Sequence, residues 1–206
     1  MGRLSNLCKT AEESLNGALA TNDLGCICRA IDAELRTLGM QNVALKAGVD
    51  RATLYRAFRL ENGPTLETMV KTLHALGLQL VVETRLQRDV STACRVVKSP
   101  SASISPEVVT TAKAARTLTI ALRSGDLHRA VGKFGQILQT QQNVSEFARR
   151  TIRSRETLYR SFTPPSLPRF STLLSVLDAL GGMQFAVRRL PSGGRHYSKD
   201  RCPDEE

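Results

Sequence analysis

The sequence predicts an all-α fold built twice: two tandem helical domains of about five helices each, with a short β-strand after each. Three observations carry this reading. Residues 50–58 read DRATLYRAF and residues 154–162 read SRETLYRSF, identical at six of nine positions. The match runs on at an offset of 104, pairing Ala44 with Ala148, Pro64 with Pro168, Leu73 with Leu177 and Gly77 with Gly181. Upstream it continues at an offset of 103, pairing Leu15 with Leu118, Asp23 with Asp126 and Leu24 with Leu127. Such a period exceeds the roughly 20–50 residues of a solenoid unit and suits two small domains in 206 residues. Finally, apolar residues recur at helical spacing in matching places of both halves.

Residues 11–20 and 23–38 read as the first two helices. In the second of them Leu24, Ile27, Ile31, Leu35 and Leu38 line one face, and Leu127, Ala130, Val131, Phe134 and Leu138 repeat that stripe. Short helices follow at 41–47 and 51–59. A longer one at 65–76 carries Leu66, Met69, Val70, Leu73 and Leu76, repeated by Phe170, Leu173, Leu174, Leu177 and Leu180. Gly77 and Gly181 stand where a helix C-terminus takes a left-handed residue. LQLVV (78–82) and MQFAV (183–187) then read as strands that pair with each other or with a partner. The two domains are expected at 1–90 and 107–190. The segment between them, 91–106, ends in the Ser- and Pro-rich linker SPSASISP, and the polar, turn-rich tail 191–206 is expected to be disordered.

Composition excludes several classes. With 41% hydrophobic and 23% charged residues the chain is of globular type, and with six Phe, three Tyr and no Trp its cores must be largely aliphatic. No run approaches the ~18 apolar residues of a membrane helix, and MGRLSNLCKT has no apolar signal core. A cytoplasmic protein is expected, with nucleoid association if it binds DNA. The cysteines at 8, 26, 28, 94 and 202 show no CxxC or zinc spacing, and Cys26 and Cys28 read as small buried hydrophobes. The histidines at 74, 128 and 196 form no triad or metal-ligand pattern. No enzyme activity, metal or cofactor is therefore expected, and the Asp and Glu residues read as solvated helix faces. Net charge is +10, with +1 over residues 1–90 and +8 over 106–190. A basic balance favours phosphate-bearing partners through Coulomb attraction and counterion release.

Residues 40–59, MQNVALKAGVDRATLYRAFR, carry the most specific pattern. Val43 and Ala44 face inward, and Ala44 is small where another helix crosses. Gly48 can take the positive φ that ends a helix sharply. Val49 plugs the turn, Asp50 is placed to cap the next helix, and Leu54, Ala57 and Phe58 hold that helix to the core. The opposite face presents Arg51, Ala52, Tyr55, Arg56 and Arg59, with Thr53 at its margin. This is the helix-turn-helix pattern, whose second helix enters the major groove N-terminus first. Arg51 and Arg56 can reach a guanine edge or a phosphate, and Thr53 and Tyr55 a phosphate oxygen or a thymine methyl. The N-terminal end of the preceding helix, near Asn42, is suited to a phosphate through its free N–H groups, and Lys46 on the same helix is a further candidate phosphate contact.

On these residues the chain resembles the lambda-repressor-like (Xre-type) helix-turn-helix proteins. Within that group it is closest to antidote proteins of addiction modules and related prophage DNA-binding proteins. The resemblance rests on G-V-[DS]-R-x-[ST]-L-Y-[KR]-A, the NGP turn and T-x3-V-x3-L-x-A-L-G-L-x-L. It covers residues 12–83 and, more weakly, 115–187. It implies a five-helix DNA-binding fold and transcriptional regulation, often autoregulation beside a small toxin. Members usually carry one copy and act as dimers, so two copies in one chain depart from the pattern.

The second copy departs further. Ile152 and Arg153 replace Gly48 and Val49, which removes the permissive residue and the apolar plug of the turn. It gains Arg149 and Arg150 as phosphate contacts. Its reading surface becomes Arg153, Arg155, Glu156, Thr157, Tyr159 and Arg160, and Ser154 keeps the capping place. Copy two reads as a second DNA reader of altered specificity, a phosphate clamp or an interaction module. The leading expectation is a double-stranded DNA-binding transcriptional regulator in which two recognition helices in one chain act as a pseudo-dimer, on an imperfect inverted or direct repeat. The alternative is an antitoxin or antiactivator that binds a toxin or another transcription factor with little DNA binding. A homodimer with four reading helices is compatible with either.

Overall fold

The structure is a computed structural model and describes residues 2–59, 63–84, 106–140, 160–163, 167–180 and 182–190. It is mainly helical with one small sheet. The N-terminal half contains α1 (Gly2–Ala20), α2 (Leu24–Leu38), α3 (Met40–Ala47), α4 (Arg51–Arg59), α5 (Leu66–Ala75) and β1 (Leu78–Thr84). The C-terminal half contains α6 (Pro106–Arg123), α7 (Leu127–Thr140), α8 (Phe170–Leu180) and β2 (Met183–Arg189). Most of 91–106 and all of 191–206 lie outside the described residues, and α6 begins at Pro106, where a missing N–H costs a helix nothing.

Local chemistry explains the helix ends. Asp23 caps α2 by accepting from the Gly25 and Cys26 amides, at 2.9 and 3.3 Å. Thr65 caps α5 by accepting from the Thr68 amide at 3.2 Å. Gly77 closes α5 with φ 76°. Gly181 lies outside the described residues, and its neighbour Gly182 takes the positive φ, 68°. Most of the expected stripe residues are buried; Leu24 and Leu180 are half-buried against the core, and Leu38, at the last turn of α2, is 38% exposed. Cys28 is buried as expected and burial, with the Asp23 charge second, pushes its thiol up to about 11. Cys26 is only half-buried.

The two halves are joined through the sheet. β1 and β2 pair antiparallel, with Val81 opposite Ala186 at the centre of the register. These strands occupy matching places after α5 and α8, so the pairing is self-complementary about an approximate two-fold axis. A second pair of bonds obeys the same symmetry: the Leu66 amide donates to the Pro168 carbonyl at 3.1 Å and the Phe170 amide to the Pro64 carbonyl at 2.9 Å. These bracket the isolated bridge between Thr65 and Arg169. Each strand is also covered by the first helix of the opposite half, α1 on β2 and α6 on β1.

That exchange closes the outer strand edges, which would otherwise expose unpaired backbone groups. Asn16 on α1 donates through Nδ2 to the Val187 carbonyl at 3.1 Å and accepts through Oδ1 from its amide at 2.8 Å. Thr119 occupies the matching place on α6; its hydroxyl accepts from the Val82 amide and donates to the Val82 carbonyl, both at 2.9 Å. Beneath the sheet, Phe185 stacks on Phe170 with centroids 5.0 Å apart and lies 6.2 Å from Phe134, so the C-terminal half has an aromatic centre.

Replacing Asn16 or Thr119 with alanine strands one amide and one carbonyl at a covered strand edge. Each change should cost about 1–3 kcal/mol. Denaturant titration checks this: the midpoint should fall while the slope stays constant.

Candidate nucleic-acid interface

α3 and α4 are joined by the three residues Gly48, Val49 and Asp50. Gly48 is left-handed at φ 60°, ψ 36°, and its amide closes α3 on the Ala44 and Leu45 carbonyls. The Val49 amide follows onto the Ala44 carbonyl at 3.1 Å, and its side chain packs against the core. A Cβ on Gly48 would meet nothing within 4 Å, so its requirement is conformational. Asp50 Oδ2 accepts from the Ala52 and Thr53 amides at 2.9 and 3.2 Å, which starts α4 and fixes its direction. Leu54 and Phe58, 0% and 4% exposed, bury one face of α4.

The other face is the candidate surface. Arg51, Ala52, Tyr55, Arg56 and Arg59 are exposed, and Thr53 is half-buried at the margin. Arg56 bends back over α4, its Nε–H donating to the Ala52 carbonyl at 3.3 Å. Tyr55 keeps 47% exposure under the Arg59 guanidinium, which lies 4.3 Å from the ring centroid and donates from Nη1 to the tyrosine hydroxyl at 2.6 Å. Burial alone would make Arg59 a weaker base, but the Asp32 charge and the Tyr55 contact more than offset it, and the guanidinium pKa is raised. Lys46 is exposed on α3, and Asn42 turns its side chain back to the Leu38 carbonyl at 3.4 Å.

In the C-terminal half only Arg160 of the candidate residues is described: it is exposed, two residues before Phe162, which is buried against Phe134. Arg149, Arg150, Arg153, Arg155, Glu156, Thr157 and Tyr159 lie outside the described residues, as do Ile152 and Ser154.

Sequence reasoning missed Asp32. Taken as part of a solvated helix face, it is 15% exposed and lies between two arginines: Arg36 Nε–H donates to Oδ2 at 2.9 Å, and Arg59 Nε stands 3.5 Å from Oδ1. The spacing of Asp32 and Arg36 is an i, i+4 pair and was legible; the approach of Arg59 from α4 was not. Leu45 was also unremarked, and at 72% exposure it stands beside Lys46 on the open face of α3.

Gly48→Ala should cost about 1–2 kcal/mol through the left-handed backbone. Asp50→Ala should cost about 0.5–2 kcal/mol through the lost cap. Both are read as midpoint shifts in denaturant titration.

The family described as probable addiction module antidote protein matches over two segments, residues 6–84 and 103–188. A protein of Haemophilus influenzae (strain Rd), described as uncharacterized, is 33% identical over 78 residues, covering 36% of this chain and 80% of the relative. No solved structure matches the chain. Matched over most of its length, and in both halves, the chain belongs to the probable addiction module antidote family.

Proposed function

We propose that the protein is an antidote-class regulator that binds double-stranded DNA through a lambda-repressor-like helix-turn-helix formed by α3 and α4. The observation that carries the reading is the left-handed turn at Gly48 followed by the Asp50 cap. Together they hold α4 by Leu54 and Phe58 and leave Arg51, Tyr55 and Arg56 open to a groove. Arg51, at the N-terminal end of α4, suits a guanine edge, while Lys46 and the α3 end suit phosphates. The approximate two-fold axis through the sheet supports an inverted rather than a direct repeat as the target. One chain then takes the place of a dimer, and its second half-site contact is intramolecular. The half-sites are non-identical, because Ala52 and Asp50 are matched by Glu156 and Ser154. No catalytic step belongs to this reading.

A second reading is favoured by the family description itself: an antidote acts on a toxin, so a protein partner is the alternative primary ligand. The basic balance of residues 106–190 and the exposed Leu45 beside Lys46 are compatible with such a partner.

Titration at physiological salt separates the two. Wild type should prefer the DNA upstream of its own gene over a scrambled duplex by about three orders of magnitude or more. Arg51→Ala/Arg56→Ala should lose that preference, at about 1–3 kcal/mol per base contact. Equal, weak, salt-sensitive binding to both duplexes would reject this target and direct attention to the protein partner.

A further inference from the structure

We propose that Asp32, on α2 and outside the exposed face of α4, is a positioning residue for recognition: it holds Arg59, and through Arg59 the orientation of Tyr55. The inference rests on the DNA-binding reading above and names a determinant of its specificity.

The chain of contacts is continuous. Asp32 is 15% exposed and its Oδ1 has no hydrogen-bond partner, its charge being met by Arg59 Nε at 3.5 Å. Arg36 Nε–H occupies Oδ2 at 2.9 Å, which fixes the carboxylate plane. Arg59 then spends its planar face on the Tyr55 ring at 4.3 Å and its Nη1–H on the Tyr55 hydroxyl at 2.6 Å. A tyrosine with 47% exposure would otherwise sample several rotamers, and ordering it before binding lowers the entropy lost on contact.

Stability alone does not account for the arrangement. Arg36 and Arg59 are 63% and 34% exposed, and pairs this open contribute little to folding. A carboxylate behind a DNA-binding helix also opposes phosphate by long-range repulsion. Asp32 thus costs general affinity, and orientation of Tyr55 is the property it supplies in exchange.

The C-terminal half carries none of the three charged groups: the matching positions are Gly135, Gln139 and Thr163. The place is also tight, because a Cβ at Gly135 would stand 3.3 Å from Phe162 Cβ and 3.5 Å from its carbonyl oxygen, so Phe162 would have to give by a few tenths of an ångström. Orientation by a carboxylate at this position therefore belongs to the N-terminal half.

The test uses the full chain, the best duplex selected by wild type from a randomised pool, and a scrambled duplex. Asp32→Asn should bind the selected duplex about tenfold more weakly, and the scrambled duplex equally or more tightly because a negative charge is gone. A merely structural loss would weaken both together. In a Tyr55→Phe background the Asp32 change should have much less effect, since the two act as a unit. If Asp32→Asn loses helicity, Arg59→Lys decides: it keeps the charge beside Asp32 but removes the planar group over Tyr55, and should lower the selected-to-scrambled ratio. An unchanged ratio in a folded Asp32→Asn, or in Arg59→Lys, overturns the proposal alone. A wild type that enriches no duplex from the pool sinks the DNA-binding reading, and this inference with it.

Discussion

The rest of the molecule depends on the antiparallel pairing of β1 with β2. A two-stranded ribbon is marginal in water unless both faces and edges are dealt with. Here Leu80, Val82, Phe185 and Val187 bury one face, being at most 4% exposed, and Val81 and Ala186, at 3% and 1%, bury the centre of the other. Asn16 and Thr119 close the outer edges, each from the opposite half. The strand of one half is therefore completed by the helix of the other, and the link between halves is part of the core. The bonds between Pro64–Leu66 and Pro168–Phe170 repeat the same two-fold relation at a second level.

That constraint bears on how α4 is presented. α5 packs against both α3 and β1, so the paired helices α3 and α4 are tied to the sheet through one buried element. The turn itself is locally determined: a left-handed glycine, a capping aspartate and two buried anchors suffice to set the direction of α4. What that helix shows to solvent is then refined by α2, whose Asp32 meets Arg59 at the far end.

The halves share a plan and differ in chemistry. The N-terminal half is nearly neutral, with an aliphatic centre and an ionic group behind its exposed helix. The C-terminal half carries most of the positive charge and is centred on Phe134, Phe162, Phe170 and Phe185. Gly135, at the position that matches Asp32, lies against Phe162 of this aromatic group.

By itself the sequence determined what is local. Helical stripes such as Leu66, Met69, Val70 and Leu73, the cap at Asp50, and the glycine stop at Gly48 each depend on groups within a few residues of one another. Their energetics are therefore written in spacing. The repeat also marked out both strands, and left open whether they paired with each other or with a partner. Only the tertiary structure decided that, because an amide at Val82 is satisfied by a hydroxyl 37 positions away and one at Val187 by an amide oxygen 171 positions away. It likewise decided that Asp32 faces Arg59 and that Leu38 stays partly in water. Those outcomes depend on which elements approach in space, and a period along the chain carries no information about a neighbour across it.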